Sequence, residues 1–182
     1  MINLHIYQVK AQPKLYSKEK LTENLCHYLD VKPANLNIYR NKNGKPSIAG
    51  IDFSISHSKH IIVQAFTKLG SIGVDVEYRN PNRKHLQIAQ RYFHHNEYQY
   101  LKSLPLADMI TSFYNLWTAK EAVCKAQGGR LWYYLADNYL TDNNTMAMTS
   151  KGLTLLNFNK IPNFGLTIAT TGKPDKVAFI HA

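Results

Sequence analysis

The residues from 113 to 128 place one carboxylate on the apolar side of a predicted helix. At 100° per residue, a single stripe of this helix collects Phe113, Trp117, Glu121, Cys124 and Gly128. An ionised carboxylate on an apolar face is costly in free energy unless a cation meets it. Two interpretations remain open for Glu121: it binds a ligand, or it forms a helix-stabilising i,i+4 ion pair with Lys125.

The residues from 71 to 78 add two carboxylates with the spacing of a β-strand. Apolar residues alternate there with Gly73, Asp75 and Glu77, so the two acidic side chains share one face about 6.5 Å apart. Acidic residues are uncommon in strands, and either a solvated face or a bound cation accounts for this pair. Mg²⁺ takes one or two carboxylates and completes its shell with water and phosphate oxygens. The strand therefore favours a metal site, with Glu121 as a third oxygen ligand.

Composition indicates an ordinary soluble protein. The chain has 182 residues, of which 45% are hydrophobic and 19% charged, enough for one sizeable core or two small ones. No window approaches the roughly 18 apolar residues of a membrane span, and the first residues lack a signal-peptide pattern. Cys26 and Cys124 lie far apart and outside any CxxC pattern, as is typical of a reducing compartment. We therefore expect a cytoplasmic protein that does not bind membranes.

The net charge of +10 predicts an anionic partner. Nucleic acid, an anionic cofactor and an acidic protein surface all satisfy that requirement. The twelve tyrosines are compatible with nucleic-acid binding, but RNP1, zinc-finger and basic-helix patterns are absent from the sequence. Three acidic residues meeting at one site would also repel nucleic-acid phosphates unless a metal intervened. Nucleic acid is thus the least favoured partner.

The order of predicted elements indicates an α+β fold with two related halves. A strand over residues 2–9, a helix ending near Leu29 and strands at 52–58 and 61–66 form the first half, residues 1–70. The second half, residues 71–182, begins with the acidic strand and contains the long helix of residues 107–127, closed by Gly128. Its last four elements, at 138–140, 153–158, 165–170 and 176–180, are predicted to form an antiparallel sheet. Each half would thus be a helix on a small antiparallel sheet, with the site between the halves.

Several motifs in order resemble those of the 4′-phosphopantetheinyl transferases. The family patterns G-[IV]-D-x-E and W-x-x-K-E-A-x-x-K-x-x-G are met at every fixed position, by residues 73–77 and 117–128. Further matches are Arg40 with Gly44-Lys45-Pro46, the segment Phe53-Ser-Ile-Ser56-His57-Ser58, and Phe93-His-His-Asn-Glu97. Agreement of several ordered motifs is a specific signal. Length and the upstream Ser-His-Ser segment are similar to the surfactin-synthetase-type members, which are monomers built from two halves.

The resemblance implies a reaction, a metal and two partners. Such enzymes transfer the 4′-phosphopantetheine arm of coenzyme A to a serine of an apo acyl or peptidyl carrier protein and release adenosine 3′,5′-bisphosphate. Mg²⁺, or Mn²⁺ in its place, is the expected metal. The carrier commonly presents an acidic helix, which suits the positive charge of this chain. A non-catalytic relative that only binds coenzyme A or a carrier is the alternative.

The resemblance also assigns roles to residues. Asp75, Glu77 and Glu121 would hold the metal, and Glu121, directly or through a water molecule, would take the serine proton. Lys125, the second catalytic residue, would add positive charge at the pyrophosphate. The residues expected to bind coenzyme A are Lys18, Arg40, Lys45, Pro46, Ser56, His57, Asp75, Lys120 and Lys125.

Three departures from the family pattern weaken parts of this assignment. Ser54 replaces the asparagine of F-N-x-S-H-S, and His94 replaces the serine of F-S-x-x-E, so Glu97 is predicted only as a supporting residue. The arginine usual in the first helix is not evident between Leu21 and Leu29. The resemblance therefore assigns no arginine of the first helix to nucleotide binding.

Overall fold

The computed structural model describes residues 1–10, 13–42 and 44–181 and confirms the α+β class. The strands are β1 (Ile2–Gln8), β2 (Tyr39–Arg40), β3 (Pro46–Ser47), β4 (Asp52–Ser58), β5 (Ile61–Thr67), β6 (Ile72–Tyr78), β7 (Thr149–Ser150), β8 (Leu153–Phe158), β9 (Phe164–Thr171) and β10 (Val177–His181). The α-helices are α1 (Pro13–Leu29), α2 (His85–Tyr92), α3 (His95–Ser103), α4 (Leu106–Gln127) and α5 (Trp132–Leu135), and a 3₁₀ turn spans Pro33–Asn35. The described residues contain no helix that is both long and apolar enough to cross a bilayer.

Two four-stranded sheets form the centre of the molecule. The first has the strand order β10-β1-β5-β4 and the second the order β6-β9-β8-β7, while β2 and β3 form a separate short hairpin. The pairings of β1 with β5, of β4 with β5, and of β9 with β6 and β8 are antiparallel, as expected for small α+β sheets.

The prediction that the last four elements form one antiparallel sheet is wrong at both ends. Residues 176–180 lie in β10, which pairs in parallel with β1 of the first sheet. The physical reason is that β9 is already paired on both edges, with β6 and β8, whereas β1 has a free edge. Residues 138–140 contribute only an isolated bridge between Leu140 and Met146. The two-half organisation stays a prediction, and by sheet membership β10 belongs with residues 1–70.

The two sheets pack face to face with a helix outside each. Between them lies a cluster of buried aliphatic side chains that includes Ile2, Leu4, Ile72, Val74 and Ile168. The outer face of the first sheet meets α1 through Leu25, Phe53 and Phe66, and the outer face of the second meets α4. The predicted alternation in β6 is therefore confirmed: its apolar residues face the core between the sheets, and Asp75 faces α4.

A glycine lets α4 lie directly on β6. A Cβ atom at Gly73 would collide with the backbone carbonyl of Ala122 and the backbone amide of Ala126. Only a residue without a side chain permits this approach, which explains why the acidic strand carries glycine two residues before Asp75. Because the helix and strand are this close, the side chains of Asp75 and Lys125 meet between them.

The edges of the two sheets meet through side chains of β4. The carboxylate of Asp52 accepts a hydrogen bond from the amide of Ile72 (2.8 Å), and the hydroxyls of Ser54 and Ser58 accept from the amides of Val74 and Tyr78 (both 3.0 Å). These bonds satisfy backbone donors of an edge strand that would otherwise be unpaired. They also fix β4 alongside β6, so that Ser56 and Asp75 lie opposite each other.

Candidate active site

Three side chains from three elements converge at the centre of the junction. The Lys125 ammonium on α4 donates to Oδ1 of Asp75 on β6 at 2.6 Å and to Oγ of Ser56 on β4 at 3.0 Å. The Ser56 hydroxyl donates to the same Asp75 oxygen at 2.7 Å. Burial alone would lower the pKa of Lys125, but Asp75, Glu121 and Glu77 together raise it above its usual value. Lys125 is therefore a fixed positive charge at neutral pH.

Two further carboxylates lie beside this group. Burial, and then the nearby charge of Asp75, raise the pKa of Glu121 to about 7. Burial and Asp75 also raise the pKa of Glu77, against a hydrogen bond of 2.9 Å that its carboxylate accepts from the Ser58 hydroxyl. Asp75, Glu77 and Glu121 thus lie near enough for their charges to interact, and their shared role in holding a metal stays a prediction. Such coupled, partly buried acids are a feature of functional sites.

The donor set suits a hard divalent cation. The second carboxylate oxygen of Asp75, Oδ2, is buried and has no hydrogen-bond partner. A cation would satisfy that oxygen and relieve the repulsion that raises the pKa of its neighbours. Within residues 1–10, 13–42 and 44–181, however, no three acidic, histidine or cysteine side chains stand in a ready-made metal-binding arrangement. The cation that meets Asp75 in this structure is the Lys125 ammonium.

A cavity of about 250 Å³ adjoins Lys125. Its lining consists of the β2–β3 hairpin, β4 and the C-terminal end of α4: Gly44, Lys45, Pro46, Phe53, Ser54, Ile55, Cys124, Lys125, Gly128 and Gly129. Gly128 ends α4 in a left-handed conformation, with φ of 68°, which glycine adopts without strain. The cavity lining is thus largely apolar, and Lys45 and Lys125 are its two lysines.

Lys45 joins the elements around this cavity. Its ammonium donates to Oδ2 of Asp52 (3.0 Å), to the carbonyl of Ile72 (3.1 Å) and to the carbonyl of Ala126 (3.3 Å). The hairpin, β6 and α4 are thereby tied together at one point. The structure therefore gives Lys45 a positioning role in addition to the predicted contact with coenzyme A.

The remaining predicted coenzyme A residues are distributed around the first sheet. Arg40 is exposed on the hairpin and donates from Nη1 to the carbonyl of Gly44 at 2.7 Å, while Pro46 lines the cavity. His57 is exposed and, by strand alternation, projects from the face of β4 opposite to Ser56. Lys18 is exposed on α1. The structure brings Lys45, Pro46, Ser56, Asp75 and Lys125 together and leaves Lys18, Arg40 and His57 at the surface.

Lys120 has a different environment from the one predicted. Its side chain is 0% exposed and forms an ion pair of 2.8 Å with Glu97, whose side chain is also 0% exposed. The same ammonium donates to the carbonyl of Asp137 at 2.6 Å and lies over the ring of Tyr139. Burial lowers the pKa of Lys120 to about 8, although Glu97 opposes the shift. The Lys120 side chain has no exposed surface and joins α4 to Glu97 and to the backbone at Asp137. Its predicted contact with coenzyme A therefore has no geometric support.

Glu97 acquires its role from local backbone geometry. His94 precedes α3 and caps it: its Nδ1 accepts from the amide of Asn96, and Glu97 accepts from the amide of His94. Glu97 also accepts from the amide of Tyr139 at 2.8 Å. His94 thus caps α3 at the position where the family pattern has serine, and Glu97 completes the cap.

Sequence reasoning missed two contributors to the site. Ser58 belongs to the Ser-His-Ser motif, but its hydrogen bond to Glu77 depends on the alignment of β4 with β6, which the motif does not reveal. Arg83, in the segment between β6 and α2, matched no motif. Its guanidinium carbon lies 4.4 Å from the centroid of the Trp117 ring, and the charge lowers the pKa of both Glu77 and Glu121 against the larger effect of burial.

Comparison with known proteins identifies the family. A sequence model of the 4′-phosphopantetheinyl transferase superfamily matches residues 71–166, just over half of the chain. The chain is 35% identical to the 4′-phosphopantetheinyl transferase HetI of Nostoc sp. over 107 residues, which cover 56% of this chain and 45% of that protein. It is 31% identical to the 4′-phosphopantetheinyl transferase gsp of Aneurinibacillus migulanus over 142 residues, which cover 78% of this chain and 59% of gsp.

A third relative, the 4′-phosphopantetheinyl transferase ffp of Bacillus subtilis, is 38% identical over 98 residues, which cover 52% of this chain and 42% of ffp. The chain therefore spans about half the length of the curated relatives that it matches. The matched region contains β6 and α4, the two elements that supply the three carboxylates and Lys125. The resemblance predicted from the motifs is confirmed, and the chain belongs to the 4′-phosphopantetheinyl transferase superfamily.

Proposed function

We propose that this protein transfers the 4′-phosphopantetheine group of coenzyme A to a serine of an apo acyl or peptidyl carrier protein, with release of adenosine 3′,5′-bisphosphate. The observation that carries the proposal is the buried Asp75 carboxylate, which has one oxygen against Lys125 and the other without a partner, beside coupled Glu77 and Glu121. The chain's membership of the transferase superfamily is the reason for choosing this reaction for the site.

In this reaction the serine oxygen forms a bond to the phosphorus that carries the pantetheine arm. The bond from that phosphorus to the bridging oxygen breaks, and the bridging oxygen leaves with the adenosine bisphosphate. Attacking and leaving oxygens lie roughly in line, so catalysis depends on positioning and on stabilising negative charge. The residues of this site supply both.

Glu121 is the group that would accept the serine proton. A carboxylate that reaches the serine hydroxyl, directly or through one water molecule, is a suitable general base. Lys125 is unsuitable for this step because its pKa is raised rather than lowered, so it stays protonated. We assign to Lys125 the stabilisation of charge that develops on the pyrophosphate.

Asp75, Glu77 and Glu121 would hold Mg²⁺, or Mn²⁺ in its place. When bound, the metal would neutralise charge on the pyrophosphate oxygens. The chain's own contribution is the supply of oxygen ligands and their orientation: Ser56 fixes Asp75 at 2.7 Å, and Ser58 fixes Glu77 at 2.9 Å.

The cavity beside Lys125 would take the nucleotide part of coenzyme A. Lys45, Pro46 and Lys125 line it, and Arg40 lies on the same hairpin. The net charge of +10 favours an acidic carrier protein as acceptor. We further propose that the protein acts as a monomer in the cytoplasm.

The test is incubation of the protein with coenzyme A, Mg²⁺ and a broad panel of apo acyl and peptidyl carrier proteins, followed by mass spectrometry of the carriers. We expect at least one carrier to gain the mass of one phosphopantetheine group. Omission of the metal with a chelator present, and replacement of the acceptor serine by alanine, should each abolish the gain. No gain on any carrier would refute transfer and leave a coenzyme A or carrier-binding relative as the alternative.

A further inference from the structure

Arg83 is a cation held in a fixed position with its donors free. The guanidinium stacks on the indole ring of Trp117 at 4.4 Å and lies within 5.6 and 5.9 Å of the rings of Phe113 and Tyr114. Within the described residues its side chain forms no direct hydrogen bond or ion pair, and its charge acts on Glu77 and Glu121 from a longer distance. Arg79, four residues earlier, differs because its guanidinium already donates to Asn159 at 2.7 Å.

Such an arrangement is suited to binding an anion. A guanidinium stacked on an aromatic ring keeps its planar fork of N–H donors exposed at the edge. That fork matches the two oxygens of a carboxylate or a phosphate. Stacking also fixes the side chain before the ligand arrives, which reduces the entropy lost on binding.

Arg83 and the cavity lie on opposite sides of Glu121 along α4. On α4, Trp117 precedes Glu121 by one turn, and the cavity begins beyond Glu121, at Cys124. The nine helical steps from Trp117 to Ala126, the residue whose carbonyl accepts from Lys45, span about 14 Å. Glu121 therefore lies between the Arg83 side of the site and the Lys45 side.

This separation decides which ligand reaches Arg83. With the nucleotide in the cavity, the leaving oxygen points towards Lys45 and Lys125. In-line displacement requires the attacking hydroxyl to approach the phosphorus from the opposite side. That side is the one on which Trp117 and Arg83 lie, so an anion bound by Arg83 belongs to the molecule that carries the hydroxyl.

We propose that Arg83 binds a carboxylate of the acceptor protein close to the acceptor serine and thereby selects acceptors with an acidic residue there. The assignment rests on the proposed function, because it takes the nucleotide to occupy the cavity. Arg83 acts as a specificity-determining residue: it positions the acceptor and does not itself accept the serine proton. A phosphate of coenzyme A is the other source of matching oxygens, and the experiment separates the two.

The experiment compares steady-state kinetics of the wild type with the variants Arg83→Gln and Arg83→Lys, using a carrier protein accepted by the wild type. Arg91→Gln is the matched control because Arg91 also stacks on a tyrosine, Tyr92 at 5.1 Å, but lies at the far end of α2. For Arg83→Gln we expect KM for the carrier to rise about tenfold while KM for coenzyme A stays unchanged. Arg83→Lys should recover part of the loss, since it keeps the charge but loses the planar fork.

A second arm identifies the partner group. Each acidic residue near the carrier's acceptor serine is changed in turn to its amide, and the carriers are assayed with both enzymes. One such change should raise KM with the wild type and have no further effect with Arg83→Gln, as in a double-mutant cycle. A rise in KM for coenzyme A in place of the carrier would overturn the proposal in favour of phosphate binding, and unchanged KM for both would overturn it outright.

Binding by calorimetry separates failure of this proposal from failure of the proposed function. If the wild type transfers nothing, affinities for the panel of apo carriers are measured for the wild type, Arg83→Gln and Arg91→Gln. About tenfold weaker binding by Arg83→Gln alone would support the acceptor site even without transfer. Equal affinities, or no measurable binding by the wild type, would overturn it.

Discussion

Helix α4 carries two lysine–carboxylate pairs five residues apart that differ in how completely they are satisfied. Lys120 and Glu97 are both 0% exposed, and their charged atoms bond to each other and to the backbone of Asp137, His94 and Tyr139. The Lys125 side chain is 30% exposed, and its partner Asp75 keeps one buried oxygen without a hydrogen bond. The charged atoms of the first pair are buried and fully hydrogen-bonded, so they cannot bind a ligand. In the second pair the Lys125 ammonium is partly exposed and Oδ2 of Asp75 can still accept a bond.

The difference shows how one helix serves as both support and reaction surface. A saturated buried pair fixes the rotation of α4 about its axis, and adjacent residues on a helix point about 100° apart. Fixing Lys120 towards Glu97 therefore turns Glu121 towards Asp75 and Glu77. The Lys125–Asp75 pair, which is incompletely hydrogen-bonded, can therefore bind a ligand, whereas the fully bonded Lys120–Glu97 pair cannot. Three experiments test this division and a fourth tests a buried, hydrogen-bonded histidine elsewhere, in order of decreasing expected effect.

The largest effect is expected for Glu121→Gln, which should reduce transfer by about 10³-fold or more. An amide of the same shape cannot accept the serine proton and is a weaker metal ligand. The variant should keep the wild-type circular dichroism spectrum and melting temperature, because it removes one of three mutually repelling carboxylates. Rates of single-turnover transfer to a carrier measure the loss, and near-normal turnover would place Glu121 outside the chemistry.

The second test breaks the saturated pair. Lys120→Met leaves the Glu97 carboxylate buried without its cation, so we expect the free energy of unfolding to fall by about 3 kcal/mol. Adding Glu97→Gln should restore part of the loss, because an amide oxygen can still accept from His94 and Tyr139 without a net charge. Urea denaturation measures both. A Lys120→Met variant of normal stability but reduced affinity for coenzyme A would instead support the role predicted from the sequence.

The third test breaks the unsaturated pair. Lys125→Met removes the charge opposite the pyrophosphate and should lower the transfer rate by about 100-fold. Because Lys125 is partly exposed and Asp75 still accepts from Ser56, the stability should change less than in Lys120→Met. Denaturation and kinetics on the same two variants give a direct contrast. Equal effects of both variants on both quantities would abolish the distinction between the pairs.

The smallest effect concerns a saturated histidine in the first sheet. His5 is buried, and its two ring nitrogens lie 2.6 and 3.2 Å from the hydroxyls of Tyr28 and Tyr7. Burial lowers its pKa below 6.5, so the unfolded chain binds more protons than the folded protein as the pH falls through that value. Stability should therefore decrease on acidification. Thermal denaturation should show a shallower pH dependence for His5→Gln than for the control His57→Gln; identical slopes would remove His5 as the cause.

The sequence predicted the parts of the site that depend on local spacing. Alternation in β6 and the stripe on α4 were enough to expect that Asp75, Glu77 and Glu121 share a site, because both patterns report which face a side chain occupies. Gly128 likewise predicted the end of α4, which the structure confirms. These features need no knowledge of distant partners.

Features that depend on which strands and loops become neighbours could not be predicted in this way. The burial of Lys120 requires Glu97 and the loop near Asp137 to meet it, and the motif gives Lys120 and Lys125 the same appearance. The bonds from β4 to β6 depend on two sheet edges coming together, for which residues 52–58 carry no local signal. Arg83 stacks on Trp117, which lies 34 residues further along the chain, a contact that only the fold creates.

The pairing of β10 with β1 has a consequence for the order of folding. During synthesis the residues of β1 leave the ribosome before those of Val177–His181, the strand that pairs along its outer edge. The first sheet therefore cannot be completed until nearly the whole described chain has been made. Until then β1 presents an unpaired edge, a site where nascent chains can associate. The same pairing places β10 against β1, so loss of β10 would leave one edge of β1 without its hydrogen-bond partners.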